Sequence, residues 1–322
     1  MIIHLSPSDG ERCGIAAFAS KLNDNLTESE IVNKLTDKCA NNPIIVEHEY
    51  GLHKKVDWEQ LLKIPSPRKV LIQHAFGASL QYKPMNDVMY SIFDKIIVLS
   101  KRCKIEACRL YPEHAGRFTV IPHYAETLDV EPIIPNVREG YTVGIHGFAF
   151  PRNGFTRLLN TYQGGAKIYM MATINTFNKT AEMETSVYID KIRRKIWELH
   201  ERLGREVVEL DFDYYNTKRD IIEKLRDKCD ILVHLTTPFI SDYYNSSGSI
   251  NVLLATGIPV ATIDTMYTEA FSKDVVTKMD SVSRIFDANN LVITSTPDGI
   301  KNYHKENSAK MFANKVMALI ED

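Results

Sequence analysis

The stretch CDILVHLTTPFISDYYNSSGSINVLLATGIPVATID, residues 229–264, opens with a short apolar run, passes through a polar loop, and returns to apolar sequence twice more. DILVHL is short and rich in aliphatic residues, which suits a buried strand ending at Leu235. A helix is expected to start near Ser247 or Gly248, to run through INVLLAT and to stop at Gly257. Pro259 then leads into the strand VATI, and a glycine stop with proline just beyond it is ordinary helix punctuation. Strand, helix and strand in that order form the repeating unit of a parallel sheet.

The same alternation extends in both directions. Upstream, MIIHL, NPIIVEH, RKVLIQH, KIIVLS and RFTVIP read as strands, separated by helical segments such as IAAFASKLNDNL and DVMYSIFDK. VEPIIPNVREG, residues 130–140, has two prolines and no periodicity, so it reads as a linker. After it, TVGIHGF, AKIYMMA, EVVELDF and PVATI alternate with TSVYIDKIRRKIWELHERLG and KRDIIEKLRDK. The first of these helices places Ile189, Ile192, Ile196, Leu199 and Leu203 on one apolar stripe. At 322 residues the chain is too long for one core. The fold class is therefore α/β with parallel sheets: an N-terminal domain over 1–135, a C-terminal domain over 136–300, and an amphipathic C-terminal helix over 301–322 packing across the domain interface.

Composition narrows the partners. Residues 1–140 carry 17 Lys and Arg against 18 Asp and Glu, and the remainder 22 against 23. Neither half has the basic excess that drives binding to nucleic acid or anionic membranes. No apolar run reaches the roughly 20 residues of a membrane span. The start MIIHLSP does not resemble a secretory signal, so a cytoplasmic protein is expected. Five scattered cysteines argue for a reducing compartment.

In parallel α/β sheets ligands gather at the carboxyl ends of the strands. The unpaired amides at the start of the helix after DILVHL would attract an anion. Gly248 would allow close approach, and Ser246, Ser247 and Ser249 add hydroxyl donors. Such a loop can also cap a core helix with no ligand. His74 ends the strand VLIQH with Gly77 nearby, and His48 and Glu49 end IIVEH. Cys13-Gly14-Ile15 opens the first helix. Asp211-Phe212-Asp213 imitates a metal-binding acidic motif but reads as an exposed loop, and Cys103, Cys108 and His114 lack zinc spacing, so no metal site is expected.

DILVHLTTP followed by SSGSINVLLATGIPVAT resembles the donor-site region of family 4 glycosyltransferases. CGIAAFASKL, IIVEHEYGL, VLIQHAFG, KIIVLSKRCKIEACRLY, RFTVIPHYAE and VGIHGFAFPRNGFTRLL resemble further pieces of that family in the same order. The resemblance implies a GT-B fold of two facing Rossmann-like domains, with the donor on the C-terminal domain. It implies transfer of a hexose or pentose from a nucleoside diphosphate sugar, with UDP or GDP expected. The acceptor would lie in the interdomain cleft, anomeric configuration would be retained, and neither metal nor cofactor would be needed.

The resemblance also implies site roles. Gly14, Arg152, Asn153, Ser246, Ser247, Gly248 and Ser249 would hold the diphosphate. His74 would be catalytic or sugar-orienting, His123 would lie near the sugar, and His48 and Glu49 would line the acceptor side. The family's two glutamates around the phosphate helix fall at Tyr244 and Val252, so Asp242 and Asn251 are the candidate contacts for ribose or sugar hydroxyls. Its basic pair falls at Asn153 and about Gly147, which leaves Arg152 to supply charge as a planar fork. The acceptor is open among glycans, lipid-linked sugars, small molecules and modified nucleobases. A transferase acting on modified bases of nucleic acid, using Lys54-Lys55 and Lys101-Arg102-Cys103-Lys104, is one alternative. A non-catalytic sugar-nucleotide-binding or scaffold protein is another. A dinucleotide oxidoreductase is disfavoured, because neither half has the glycine triplet with a following acid.

Overall fold

The computed structural model describes residues 1–6, 14–50, 57–134, 137, 140–176, 179–211, 217–237 and 243–322. In chain order the first strands are β1 (Ile2–Leu5), β2 (Ser29–Val32), β3 (Ile44–His48), β4 (Lys69–Gln73), β5 (Ala75–Gly77), β6 (Lys95–Val98) and β7 (Phe118–Val120). They alternate with helices α1 (Gly14–Asn23), α2 (Trp58–Lys63), α3 (Lys83–Ile92) and α4 (Lys101–Leu110). There follow β8 (Thr142–Phe148), α5 (Phe155–Asn160), β9 (Lys167–Thr173), α6 (Lys179–Leu203), β10 (Val208–Asp211), α7 (Lys218–Lys228) and β11 (Ile231–His234). The chain ends with β12 (Tyr243–Asn245), α8 (Gly248–Leu254), β13 (Val260–Ile263), β14 (Val276–Met279), α9 (Pro297–Glu306) and α10 (Ala309–Glu321).

Packing divides the chain into two compact units. The first comprises Met1–Tyr124, Pro238–Ser246 and Asn307–Asp322, and the second Ala125–Thr237 and Ser247–Glu306. One boundary at 135/136 is expected from the sequence; in the structure the change of unit comes at Tyr124/Ala125, and residues from late in the chain return to the first unit. The linker residues Glu131 to Ile133 are held by the second unit, where Ile133 N donates to Gly257 O at 2.8 Å and Arg226 donates to Glu131 O at 3.2 Å.

Each unit has a six-stranded parallel sheet, ordered β2-β1-β3-β4-β6-β7 in the first and β10-β9-β8-β11-β13-β14 in the second. The second order is the Rossmann arrangement, whose direction of winding reverses between β8 and β11; in the first unit the reversal lies between β1 and β3. Because successive side chains face opposite sides, a strand covered on both faces needs apolar residues throughout. In the first unit Ile2, Ile45, Val70, Ile72 and Ile97 pack under α1 and α10, while Ile3, Leu5, Ile44, Val46 and Leu71 pack under α2, α3 and α4. In the second, Val143, Ile145, Ile168 and Val233 meet α5 and α6, and Tyr169, Met171, Leu232 and Val260 meet α7 and α8.

Ile189, Ile192, Ile196 and Leu199 of α6 are buried as expected, but Leu203 is 36% exposed, because it is the final residue of the helix. The single C-terminal helix expected over 301–322 is two helices. Ser308 accepts from Met311 N at the start of α10, which separates it from α9. Helix α10 lies on α1 within the first unit, with the Phe312 ring edge-on to Phe18 at 5.3 Å. Among the described residues no helix is long and apolar enough to cross a membrane.

Candidate functional site

The second unit's reversal point lies between β8 and β11, and the loops that leave these strands are joined there. After β8 the chain turns through Pro151–Asn153, and Gly154, in the left-handed region at φ 86°, starts α5. Thr237 N donates to Arg152 O at 2.9 Å, and the Thr236 hydroxyl donates to Asn153 Oδ1 at 3.2 Å. Asn153 Nδ2 in turn donates to Phe148 O at 2.7 Å, so Asn153 braces the two loops. The Arg152 side chain is exposed, with its guanidinium 5.0 Å from the centre of the Phe150 ring.

His234 ends β11 and is buried, with Nε2 2.9 Å from Ser247 Oγ; Ser247 Oγ lies 2.8 Å from Ser249 Oγ. Burial pushes the His234 imidazole down to about 4, so it is neutral near pH 7. Its Nδ1 is buried without a partner, and an orphaned lone pair costs less than an orphaned N–H. The proton therefore sits on Nε2 and is donated to Ser247 Oγ. The Ser247 hydroxyl can then donate to Ser249, and the Ser249 hydroxyl is left as a donor to its surroundings. Ser247 precedes α8 but makes no side-chain capping bond to it.

The remaining donor-side candidates differ in their surroundings. Ser246 is half-buried and packs with the first unit. Gly248 is exposed at the start of α8. Asn251 is only 2% exposed inside α8, and its Oδ1 accepts from Tyr303 OH at 2.9 Å. Asp242 lies outside the described residues, as do Phe212 and Asp213. Asp211 Oδ2 accepts from Tyr169 OH at 2.9 Å and pairs with Lys224 at 3.0 Å. Among the described residues no group of three or more His, Cys, Asp or Glu could hold a metal ion.

In the first unit His74 follows β4, is 9% exposed, and places Nε2 2.6 Å from Glu47 Oε2. The other Glu47 oxygen lies 2.8 Å from His4 Nε2. Phe18 presents its ring to both His74 and His123 at 4.9 Å, and His123 Nδ1 donates to Tyr124 O at 2.8 Å. His48 is fully buried, with Nε2 3.4 Å from Met85 Sδ. Glu49 Oε1 accepts from Tyr243 OH at 2.5 Å, and burial together with that carboxylate raises the Tyr243 phenol above its ordinary range. Gly14 is exposed, and a Cβ added there would meet nothing within 4 Å among the described residues.

Sequence reasoning passed over His4, Glu47, His234 and Tyr243. His4 and Glu47 read as mere strand residues, since their meeting depends on sheet register; an acid inside the apolar run IIVEH was the one available signal. Tyr243 belongs to β12, which pairs antiparallel with β5 through Tyr243 opposite Gly77 and Asn245 opposite Ala75.

Comparison with solved structures places this architecture. Anabaena HepE, solved in complex with UDP and glucose, superposes with a TM-score of 0.63 at 10% identity, over 99% of each chain. The fold is GT-B. An α,α-trehalose-phosphate synthase (UDP-forming) from Burkholderia vietnamiensis gives a TM-score of 0.64 at 9% identity, over 87% of this chain and 72% of its own. A trehalose-6-phosphate synthase structure concerned with enzymatic glycosyltransfer with retention gives 0.64 at 10% identity, over 89% and 74%. No protein-family model and no curated protein sequence matches the chain.

Proposed function

We propose that this GT-B protein is a glycosyltransferase that moves a hexose or pentose from a nucleoside diphosphate sugar to an acceptor, with retention of configuration. The observation that carries the reading is the junction at the second unit's reversal point, where the loop after β8 presents Arg152 and the run from His234 ends in the Ser249 hydroxyl. As a glycosidic bond to phosphate breaks, negative charge grows on the diphosphate, and fixed donors aimed at it do most of the catalytic work. Arg152, Ser246, Ser247, Gly248 and Ser249 would supply them, and Gly14 would allow close approach of a diphosphate to its backbone. Asn153 would act by bracing the Arg152 loop.

The Anabaena protein's UDP and glucose make UDP-sugars the first donors to test. His74 would orient the sugar or acceptor, with His123 beside it; His48 and Glu49 would line the acceptor side, and Asp242 and Asn251 would contact ribose or sugar hydroxyls. Retention rests on the family 4 resemblance. The reading includes no metal and no cofactor, so turnover should survive EDTA. The thiols of Cys39, Cys103, Cys108 and Cys229 suit a cytoplasmic setting.

The test is a panel of UDP-, GDP- and ADP-sugars, scored by thermal stabilisation and by slow donor hydrolysis. At least one donor should give both. Stabilisation without hydrolysis would favour a binding protein, and neither signal would remove the donor-site reading. Ser249→Ala and Arg152→Ala should each weaken donor binding roughly tenfold to a hundredfold, the loss expected for one hydrogen bond to a charged group of about 1.5–3 kcal/mol.

A further inference from the structure

Glu47 occupies a position where a carboxylate is costly. It is fully buried on β3, on the sheet face that also carries Ile45, Val70 and Ile72 beneath Phe18 of α1. A charge there is tolerable only when both oxygens are hydrogen-bonded. Register supplies the partners: β1 and β4 flank β3, so His4 and His74 approach from opposite sides, at 2.8 Å and 2.6 Å. Burial raises the Glu47 carboxyl, but the bonds and charges of the two histidines outweigh it and hold the group below its ordinary range.

An ionised carboxylate only accepts, so each imidazole must carry a proton on Nε2. The two rings end differently. His4 is fully buried, and its Nδ1 has no partner. His74 lies just past the carboxyl end of β4, buried but at 9% exposure against 0% for His4, and held edge-on by Phe18. Nδ1 is the His74 nitrogen that Glu47 does not engage.

We propose that Glu47 is the positioning residue of His74: its carboxylate fixes the ring and keeps a proton on Nε2, so that Nδ1 is the atom presented to a substrate hydroxyl. The identity of the substrate rests on the glycosyl-transfer reading; the orientation of the ring does not. The role is that of an acid orienting a histidine that itself meets the substrate; at metal-bound histidines, removing the outer partner costs roughly tenfold to a hundredfold, and a loss of at least that order is expected here.

The test uses the full chain with 15N-labelled histidine, as wild type and as Glu47→Gln, with His74→Asn to assign the signal. The wild type should show His74 protonated at Nε2, and Glu47→Gln should shift the ring toward the Nδ1–H form. With the active donor, kcat should fall roughly tenfold to a hundredfold while the donor KM moves less than about threefold. Should Glu47→Gln not fold, Glu47→Asp keeps the charge but shortens its reach, and the same two changes are expected in smaller degree. An unchanged His74 signal overturns the proposal, as does a changed signal with unchanged kcat. A changed signal in a protein that turns over no nucleotide sugar keeps the positioning geometry and removes the transferase reading.

Discussion

Two glycines separate what the fold requires from what a ligand would require. Gly257 sits at φ 69°, and a Cβ there would meet Pro132 Cα and Arg226 Nη1 at 3.1 Å. Gly257→Ala should therefore destabilise the second unit by about 1–3 kcal/mol, read as a lower urea midpoint with an unchanged slope. Gly14 meets neither constraint among the described residues. Gly14→Ala should leave stability within about 0.5 kcal/mol, yet lower donor affinity if the diphosphate approaches that backbone. Equal donor affinity in the variant would remove Gly14 from the site. The sequence alone could name both glycines but not rank them, because the ranking depends on which distant atoms stand opposite.

At the level of elements, the main strands were legible because strands buried on both faces are continuous apolar runs, as in KVLIQ of β4 and KIIV of β6. The strands that were missed lack that signal. β2 is SEIV at a sheet edge, and β12 is YYN, whose existence depends on β5 far away in sequence. The donor-side loop was legible for the same local reason as its strand and helix, whereas the links from His4 to Glu47 and from His234 to Ser247 arise only once the strands are in register. The first unit depends on helix α10, whose Ala309, Phe312, Ala313 and Val316 complete one of its cores. Phe312→Ala removes a ring that contacts Phe18 and Tyr124 and should cost about 3–5 kcal/mol. Urea unfolding followed by a probe in the first unit would measure it, and a loss below about 1 kcal/mol would contradict that dependence.

For the molecule as a whole, acid should act on the two units in sequence. His234 titrates near 6.5 when unfolded and at about 4 when folded, so the unfolded chain binds a proton that the folded unit refuses. Its contribution is complete above pH 6.5 and declines as the pH falls toward 4, by on the order of 3 kcal/mol. The half-buried His146, also pushed down to about 4 by burial, acts in the same direction. Glu47 works at lower pH: held below 4.5, it stabilises the first unit above that value, and the gain is lost as pH falls through the folded value. Calorimetry between pH 8 and 4 should therefore show the second unit's transition moving first. His234→Gln should flatten that dependence, and an unchanged slope would show that His234 does not govern it.

The return of residues 307–322 to the first unit has a consequence for biosynthesis. A ribosome that has released residues 1–124 has delivered the parallel strands of that unit, but neither β12 nor the helix that covers Phe18, Ile45, Ile72 and Tyr124. That apolar face must wait, exposed, while nearly two hundred further residues are translated. The first unit, begun before the second, is thus completed only after it. Nascent chains halted after Tyr124 are expected to be held by chaperones and to bind hydrophobic dyes, and chains extended through α10 are expected to lose both properties.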